Sequence, residues 1–406
     1  MLVLFVVGIL NSVDRNIVGV LLEDIKNEFQ VSDSMLGLLS GIAFALFYAA
    51  LGVPIARWAD RGNRPRIISL SLLVWSAMTA LCGVAANFWQ LLLARFGVGA
   101  GEAGALPASH SLLADYFPPA ERARAIGVFT MSSAVGLAAA LVIGGYVVEH
   151  FGWRAALIGV GLIGVMLTPL THFLLHEPRR LAGAVAGTET KESILAATRI
   201  LMGKRAYRNL LGAIIVYFLM ASGAFVFVVP LLIRVHGLSV SQAGTTYGII
   251  STVAAAIGSF GGGALADKLA ARDIAWLARF AGLGLLVAVP LYEIALWAPV
   301  PTLLIPMLLL ATTVIYSVVP SMYSALHVVC GSRRRALAVA TAFFFANLIG
   351  AGLGPIVAGT LSDYFGARYG TGEGLRYSLM IMVTILLPVS WLMLRAARVL
   401  KLDAEE

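Results

Sequence analysis

Four ionisable side chains lie inside long apolar segments of this chain: Asp14 and Arg15 in the first segment, and Arg95 and Glu102 in the fourth. A charged residue at the centre of a membrane-spanning helix costs about 2.5–3.5 kcal/mol, so such residues usually mark a function. Only the two acids can change charge at an accessible pH, because arginine stays protonated. Acids beside arginines in this setting indicate a proton switch, an anion-binding site or both. Two permanent salt bridges between helices are the structural alternative.

The composition is that of a protein with many membrane spans. Of its 406 residues, 60% are apolar and 12% are charged, whereas soluble domains carry about 25% charged residues. A transmembrane helix needs about 20 mostly apolar residues. Twelve such stretches are present: 2–22, 34–56, 67–86, 88–115, 124–149, 153–175, 209–235, 240–266, 274–298, 301–329, 336–362 and 375–398. Because lipid tolerates only helices and closed barrels, they predict an all-α membrane protein with twelve transmembrane helices.

The basic residues predict the orientation of these helices. If both termini are cytoplasmic, the loops on that side hold 21 of the 29 Lys and Arg residues, the opposite loops hold five, and three lie within spans. Cytoplasmic loops of membrane proteins carry such an excess. We therefore expect a multi-pass protein of the plasma membrane, which is the inner membrane in a Gram-negative cell, with both termini in the cytoplasm. The net charge of +8 follows from this asymmetry, so no nucleic-acid partner is expected.

Three sequence matches relate the first six spans to the last six. The loop after span 2, the end of span 4 and the end of span 5 recur 207, 213 and 214 residues later. The paired positions are Asp60 with Asp267, Pro107 with Pro320, and Gly152 with Gly366. Similar offsets at three places predict a duplicated six-helix unit, an architecture in which transporters bind substrate near the membrane midplane.

The duplication divides the chain into two pseudo-symmetric six-helix bundles. We assign residues 1–175 to the N-terminal bundle and residues 209–400 to the C-terminal bundle. Residues 176–208 are predicted to form a cytoplasmic linker, and residues 401–406 a cytoplasmic tail. The linker contains a predicted amphipathic helix around Lys191–Met202, whose apolar face holds Ile194, Leu195, Leu201 and Met202.

The loop after span 2 resembles the signature loop of the major facilitator superfamily. The pattern Asp60-Arg61-x-x-Arg64 carries the likeness, and residues 263–268 repeat it in the second half, with Asp267 as the acid. Ala56 stands where the superfamily pattern has glycine. An acid near a helix terminus and arginines that can bridge to neighbouring helices predict a breakable cytoplasmic gate formed by these residues. Positive-inside charge alone is the alternative, but it explains the arginines and not the repeated aspartate.

Span 4 and the loop after it are similar to the spinster family within that superfamily. The likeness lies in RFGVGAGEA at residues 95–103, in LLADYFPPAERARAIGVF at residues 112–129, and in DRGNR at residues 60–64. Spinster-like proteins are lipid and lysolipid transporters, including exporters of sphingosine-1-phosphate and lysophospholipids. The resemblance implies a substrate of this class, which hydropathy and spacing do not show.

The charged and polar residues of the spans have predicted roles in such a transporter. Asp14 and Glu102 are the proton-coupling candidates, and Asp14 is preferred because its neighbour Arg15 can hold the ionised carboxylate. Arg15 and Arg95 are expected to contact an anionic headgroup, since guanidinium groups pair with phosphate oxygens. The expected substrate contacts of the second half are Tyr316, Ser321, Tyr323, Phe344 and Asn347. Simple helix packing is the alternative reading of this second set.

Other classes of protein find little support in the sequence. There is no GxxxxGK[ST] nucleotide loop, no HExxH motif and no pair of CxxC motifs, so neither an ATP-driven pump nor an enzyme is expected. We predict a monomeric secondary transporter that works by alternating access without cofactor or metal. It would use the proton gradient to move a lysophospholipid or a sphingosine-1-phosphate-like lipid. An exporter of amphipathic drugs, a transporter of small organic anions and a non-transporting receptor are the alternatives.

Overall fold

The structure is a computed structural model that describes residues 1–178 and 194–404. Within helices, the side chains of some further residues, Asp60 and Arg61 among them, lie outside the described set. Every regular element in the described ranges is helical, which confirms the all-α prediction. The helices are α1 (Leu2–Phe29), α2 (Asp33–Ser40), α3 (Ile42–Arg61), α4 (Arg64–Gly83), α5 (Phe88–Glu102), α6 (Ala105–Tyr116), α7 (Pro119–Leu174), α8 (Ile194–Gly203), α9 (Arg205–His236), α10 (Val240–Ala270), α11 (Trp276–Trp297), α12 (Pro301–Phe345), α13 (Gly352–Tyr369), α14 (Thr371–Thr384) and α15 (Leu386–Asp403), with a π-helical segment at Ala346–Ala351.

Ten helical stretches in the described ranges are long and apolar enough to cross a membrane. Predicted spans 5 and 6 are two helical segments that follow each other directly within α7 and meet at a kink at Gly152, where φ is 82° and ψ is 162°. Predicted span 4 is divided into α5 with 15 residues and α6 with 12 residues, each too short to span alone. These two features account for the difference from the twelve predicted spans, and the chain is a multi-pass integral membrane protein.

Local sequence signals set the helix boundaries around the buried charges. Asn63 caps α4 by accepting a hydrogen bond from the Arg66 amide at 2.9 Å, and Asn87 caps α5 by accepting from the Gln90 amide at 3.0 Å. Such caps satisfy N–H groups that have no partner within the first helical turn. α1 ends at Gln30, whose left-handed conformation (φ 51°) turns the chain towards α2. These boundaries place Asp14 and Arg15 within α1, and Arg95 and Glu102 within α5.

The chain forms two compact units. Unit 1 comprises Met1–Arg180, Phe225–Ile249 and Pro355–Leu375, and unit 2 comprises Leu181–Ala224, Ile250–Gly354 and Arg376–Glu406. The units do not follow the two predicted bundles, because parts of α9, α10, α13 and α14 belong to unit 1 together with the whole predicted N-terminal bundle. Unit 1 therefore contains contacts between residues of both sequence halves.

The predicted linker helix is present in its described part as α8, while residues 179–193 lie outside the described ranges. Leu201 is 1% exposed, as the predicted apolar face requires, whereas Met202 is 41% exposed. The side chains of Ile194 and Leu195 lie outside the described set. Burial of this face is therefore observed at Leu201 and not at Met202.

Close packing of α4 against α5 depends on a glycine. Trp75 of α4 is 1% exposed and lies against Gly101 of α5. A Cβ atom at position 101 would stand 2.6 Å from the Trp75 amide nitrogen and 2.9 Å from its Cα atom. Small residues allow membrane helices to approach this closely. The glycine thereby sets the distance between Glu102 and the helix that carries Thr79.

We expect Gly101→Ala to lower stability by about 1–3 kcal/mol, the usual effect of overpacking an interior. The added methyl group would collide with main-chain atoms of Trp75, which cannot rotate away. The measurement is the thermal unfolding midpoint of the purified protein in detergent. Gly127→Ala is the matched control, because nothing lies within 4 Å of a Cβ atom there. A Gly101→Ala protein as stable as the control would contradict the close-packing argument.

Candidate functional site

Asp14 and Arg95 form the first of two buried ion pairs between α1 and α5. Asp14 is 0% exposed, and the Nη1 atom of Arg95 donates to its Oδ1 atom at 3.0 Å. The hydroxyl of Thr79 in α4 donates to the other carboxylate oxygen. Both oxygens of Asp14 are thus engaged, which compensates for the burial of an ionised carboxylate.

Arg15 and Glu102 form the second ion pair. The Nε atom of Arg15 donates to the Oε2 atom of Glu102 at 2.7 Å, and the Asn11 side-chain amide donates to the same oxygen at 2.8 Å. The other oxygen, Oε1, is buried and has no hydrogen-bond partner among the described residues. Glu102 is therefore less completely bonded than Asp14.

The two ion pairs connect α1 to α5 in a crossed arrangement. Asp14 and Arg15 are neighbours in sequence, but neighbouring residues on a helix point about 100° apart. Each therefore meets a partner on α5 instead of its own neighbour. This differs from the expectation that Arg15 holds the carboxylate of Asp14. Two ion pairs between helices are also what the structural alternative predicted.

Arg15 also contacts two aromatic rings of α3. Its guanidinium carbon is 4.7 Å from the ring centroid of Phe44 and 4.5 Å from that of Tyr48. The two rings stack on each other with centroids 5.3 Å apart. Cation–π contacts hold an arginine in position without removing its charge. The Arg15 side chain is 28% exposed and that of Arg95 only 3%. The Nη2 atom of Arg15 is buried and has no hydrogen-bond partner among the described residues. Arg15 is therefore the more accessible arginine and keeps one donor unused, while Arg95 holds Asp14.

A small cavity lies beside the second ion pair, between α1, α6 and α7. Its volume is about 100 Å³, and its polar lining consists of Asn11, Ser109, His110, Thr130, Ser132 and Ser133. Asn11 connects the cavity to Glu102, to which it donates its hydrogen bond. His110 is exposed there and packs edge-on against Phe129, with ring centroids 5.2 Å apart. A water molecule occupies about 30 Å³ in the liquid, so the cavity suits a few waters or one compact polar group.

Arg64 is the predicted gate residue with the best-defined contacts. It is 2% exposed, forms ion pairs with Glu177 and, at 2.6 Å, with Asp115, and donates to the hydroxyl of Ser111 at 3.0 Å. Asp115 and Ser111 belong to α6, and Glu177 follows α7. Arg64 therefore joins the start of α4 to α6 and to the segment that follows α7.

The other predicted gate residues are less informative. Asp267 is exposed near the end of α10. The side chains of Asp60 and Arg61 lie outside the described set. The contacts of these three residues stay a prediction.

The predicted aromatic contacts of the second half lie in unit 2. Tyr323 stacks on Phe343 with ring centroids 5.3 Å apart. Phe344 is 39% exposed, and Tyr316 is half-buried in α12. Among the predicted contacts, Phe344 has the most exposed apolar side chain that a substrate could contact.

The two polar residues predicted beside them are engaged within the protein. Asn347 donates to the carbonyl of Phe343 at 2.8 Å inside its own helix. Ser321 is 1% exposed and donates to the carbonyl of Leu277 in α11 at 2.6 Å. Ser321 thus packs α12 against α11 instead of facing open space, as the packing alternative for this set supposed.

A further charged cluster, which the sequence analysis missed, lies near the start of α2. Asp33 is 2% exposed and accepts hydrogen bonds from Arg234 at 2.6 and 2.8 Å, from Lys26 at 2.7 Å and from Ser362 at 2.6 Å. Arg234 also donates to Glu23 at 2.7 Å. The cluster joins residues of both sequence halves within unit 1. Such distant partners leave no signal in a single sequence.

The neutral residues around the ion pairs were not predicted from the sequence either. Asn11 carried a usable signal, because it lies one helical turn before Arg15 in an apolar span. Thr79, Phe44 and Tyr48 carried none, because similar residues fill many membrane helices. Their roles depend on the approach of α3 and α4 to α1.

Comparison with known proteins agrees with this architecture. The family model described as Major Facilitator Superfamily matches residues 4–355. An MFS-type efflux pump of Mycolicibacterium smegmatis (strain ATCC 700084 / mc(2)155) is 32% identical over 371 residues, which cover 89% of this chain and 83% of the relative. The sphingosine-1-phosphate transporter SPNS2 of Danio rerio is 28% identical over 92% of this chain and 79% of its own length.

Two crystal structures of a bacterial homolog to the human lysosomal transporter spinster resemble the whole chain. One is inward-facing and occupied, with a TM-score of 0.89 and 32% identity over 97% of its length. The other is inward-facing and unoccupied, with a TM-score of 0.91 and 33% identity over 98% of its length. Both comparisons cover 100% of this chain. The protein is therefore a transporter and not an enzyme, and it belongs to the major facilitator superfamily, within which it is similar to the spinster proteins.

Proposed function

We propose that this transporter is proton-coupled and moves an amphipathic lipid with a compact phosphate-type headgroup by alternating access. A lysophospholipid or a sphingosine-1-phosphate-like molecule fits this description. The observation that carries the proposal is Arg15, whose partly exposed side chain lies against two aromatic rings and pairs with buried Glu102 through Nε. Its Nη2 atom has no partner among the described residues and is available to a headgroup. Similarity to spinster proteins supports the lipid class. The basic loops support a plasma-membrane protein with cytoplasmic termini.

Binding of the headgroup would compete with the ion pair. A phosphate that reaches the exposed side of Arg15 can take paired hydrogen bonds from the guanidinium, which Glu102 otherwise engages. The carboxylate of Glu102 would then be buried without a compensating charge, and uptake of a proton removes that cost. Substrate and proton would thereby affect each other's binding at one site.

The geometry favours Glu102 over Asp14 as the residue that carries the proton. Both oxygens of Asp14 are engaged, by Arg95 and by Thr79. Glu102 has one buried oxygen, Oε1, without a partner among the described residues. Its other oxygen, Oε2, accepts from Asn11, which lines the small cavity. We propose that the proton reaches the Glu102 carboxyl group from the side of this cavity. Asp14, the residue preferred from sequence, then acts mainly through its ion pair with Arg95.

The cytoplasmic contacts of Arg64 support the proposed gate. Its ion pairs fix the start of α4, which two residues separate from the end of α3 at Asp60 and Arg61. We propose that Asp60, Arg61 and Arg64, with Asp267 in the second half, join and part on the cytoplasmic side during transport. The aromatic residues of α12 keep their proposed role as contacts for an acyl tail.

A small organic anion is the second candidate substrate. The cavity beside Asn11 is lined by both hydrogen-bonding and apolar side chains, and its volume is only about 100 Å³. That volume suits the carboxylate or hydroxyl groups of a compact acid as well as part of a lipid headgroup. Arg15 would bind the acid through the same guanidinium.

Replacement of Arg15 by lysine tests the headgroup assignment. Arg15→Lys keeps the charge and loses the planar fork, so lysophospholipid affinity should fall about tenfold or more, as expected for a lost charge-assisted hydrogen bond. The affinity for a monoacylglycerol, which lacks phosphate, should change little. The measurement is equilibrium binding of both labelled lipids to the purified protein.

Arg154→Lys is the matched control for this experiment. Arg154 also lies on an aromatic ring, 4.2 Å from the centroid of Trp153, and pairs with an acid, Glu28. It lies outside the site, so its replacement should leave both affinities unchanged. Equal losses for both lipids in Arg15→Lys would overturn the headgroup assignment. Binding of a sugar acid, with no binding or transport of any lysolipid, would favour the second candidate.

A further inference from the structure

Two helices in unit 1 begin with the same sequence pattern, Ser-x-Ser-x-x-Gly. The pattern occupies residues 32–37 at the start of α2 and residues 239–244 at the start of α10, an offset of 207 residues. The two copies belong to different sequence halves. The amides of a first helical turn have no partner within the helix, so each copy presents free N–H groups.

Asp363 of α13 binds the start of α2. Its Oδ1 atom accepts from the Asp33 amide and its Oδ2 atom from the Ser34 amide, both at 2.8 Å. These are the first two residues of α2. The position is electrostatically favourable as well, because the start of a helix carries partial positive charge. A carboxylate from the second half thus caps a helix of the first half.

Glu149 of α7 binds the start of α10 in a corresponding way. Its Oε2 atom accepts from the Ser241 amide at 2.7 Å and from the Ser239 hydroxyl at 2.6 Å. Glu149 and Asp363 are 214 residues apart, the offset already found for Gly152 and Gly366. Here a carboxylate from the first half caps a helix of the second half.

The backbone contacts next to both carboxylates are related by the same duplication. A Cβ atom on Gly37 would stand 2.5 Å from the carbonyl carbon of Pro355, and one on Gly244 would stand 3.4 Å from that of Leu141. Gly37 and Gly244 are 207 residues apart, and Leu141 and Pro355 are 214 apart. Two equivalent pairs of helices therefore approach closely through equivalent glycines.

The two contacts differ in charge. Asp33 forms part of the ion cluster with Arg234 and Lys26, whereas Val240 occupies the equivalent position of α10. Because valine has no charge, Val240 cannot form the ion pairs that Asp33 adds to the α2 contact.

We propose that Asp363 and Glu149 form a pair of duplicated latches that hold the outer ends of the two sequence halves together and must release before the transporter opens to that side. The inference rests on the proposed alternating access and on the predicted orientation, which places these helix ends outside the cytoplasm. Both latches use a carboxylate of one half and the first helical turn of the other. Their release would expose two helix starts and two acids at once.

Spin-label distance measurements test the latches without any substrate. The labels are placed at Asn27→Cys and Ala367→Cys, which are exposed positions in different sequence halves. Cys82 and Cys330 are buried, and alanine replaces both in the background protein.

Asp363→Asn retains one acceptor oxygen and loses the charge, so the longer-distance population should rise about tenfold, the effect of a lost charge-assisted hydrogen bond. Glu149→Gln keeps an acceptor for both donors and should have a smaller effect, and the double variant should exceed either alone.

Glu28→Gln is the matched control. Glu28 lies at the end of α1 on the same side, but it pairs with Arg154 and Trp153, which are in its own half. Its replacement removes one negative charge without touching either latch and should leave the distances unchanged. The proposal is overturned if the double variant matches the unmodified protein or if Glu28→Gln produces an equal shift. If Asp363→Asn cannot be purified as a folded protein, Glu149→Gln tests the second latch separately. Because no lipid is present, a wrong substrate assignment would leave these distances unaffected.

Discussion

Glu102→Gln should abolish the coupling of transport to the proton gradient while the protein remains folded. Glutamine can still accept the hydrogen bond from Arg15, but it cannot gain or lose a proton. The buried Oε1 position of Glu102, which has no partner among the described residues, would hold a permanently neutral group. We expect gradient-driven lipid transport to fall by about 5- to 150-fold, the range of coupling free energies of 1–3 kcal/mol.

The measurement is lipid uptake into proteoliposomes with and without a pH gradient. Counterflow, in which lipid exchanges for lipid without a gradient, should persist in Glu102→Gln and would separate coupling from binding. Asp14→Asn is the matched comparison, because it neutralises the other buried acid of the same helix pair. If Glu102→Gln keeps the wild-type pH dependence and Asp14→Asn loses it, Asp14 is the proton-coupling residue, as predicted from the sequence.

Arg95→Met should destabilise the protein by about 3–5 kcal/mol, the usual effect of leaving one partner of a buried ion pair without the other. Asp14 is 0% exposed and would keep only the hydrogen bond from Thr79. Methionine preserves most of the length of the arginine stem, so the loss would report charge more than packing. The thermal midpoint in detergent, read at a fixed heating rate, is the appropriate measurement.

The double variant Asp14→Asn/Arg95→Met distinguishes an uncompensated charge from lost packing as the cause of the destabilisation. Removing both charges eliminates the uncompensated carboxylate, so most of the lost stability should return. Arg279→Met is the control, because the Arg279 side chain is 41% exposed and its pair with Asp273 is expected to contribute less than about 1 kcal/mol. If the double variant were no more stable than Arg95→Met alone, lost packing would be the better explanation.

The sequence predicted the components of the site better than their connections. Charges in apolar spans are costly, and this cost identified Asp14, Arg15, Arg95 and Glu102 without any structure. The pairing depended on the rotation of α1 against α5, which hydropathy does not report. For the same reason, Asn11 could be suspected from its spacing to Arg15, whereas Thr79 could not.

The helices, like the site, were predicted in part from the sequence. Long apolar runs predicted the helical spans, because the bilayer permits few alternatives. The division of span 4 into α5 and α6 was missed, although several glycines lie near the break. The burial of Ser321 was also missed, because a serine that bonds to a neighbouring helix looks the same in sequence as one that faces a ligand. The Asp33 cluster was not predicted, because it includes partners more than 200 residues away in the sequence.

The two capped helix starts also bear on how the two sequence halves arose. Glu149 of the first half meets α10 of the second, and Asp363 of the second half meets α2 of the first. Two-fold interfaces between identical subunits have this reciprocal form, in which residue i of one copy contacts residue j of the other and residue j contacts residue i. A six-helix ancestor with one such acid and one such helix start could form both contacts by pairing with a second copy of itself. Fusion of the two genes would then have made the homodimer a single polypeptide and allowed Asp33 and Val240 to diverge.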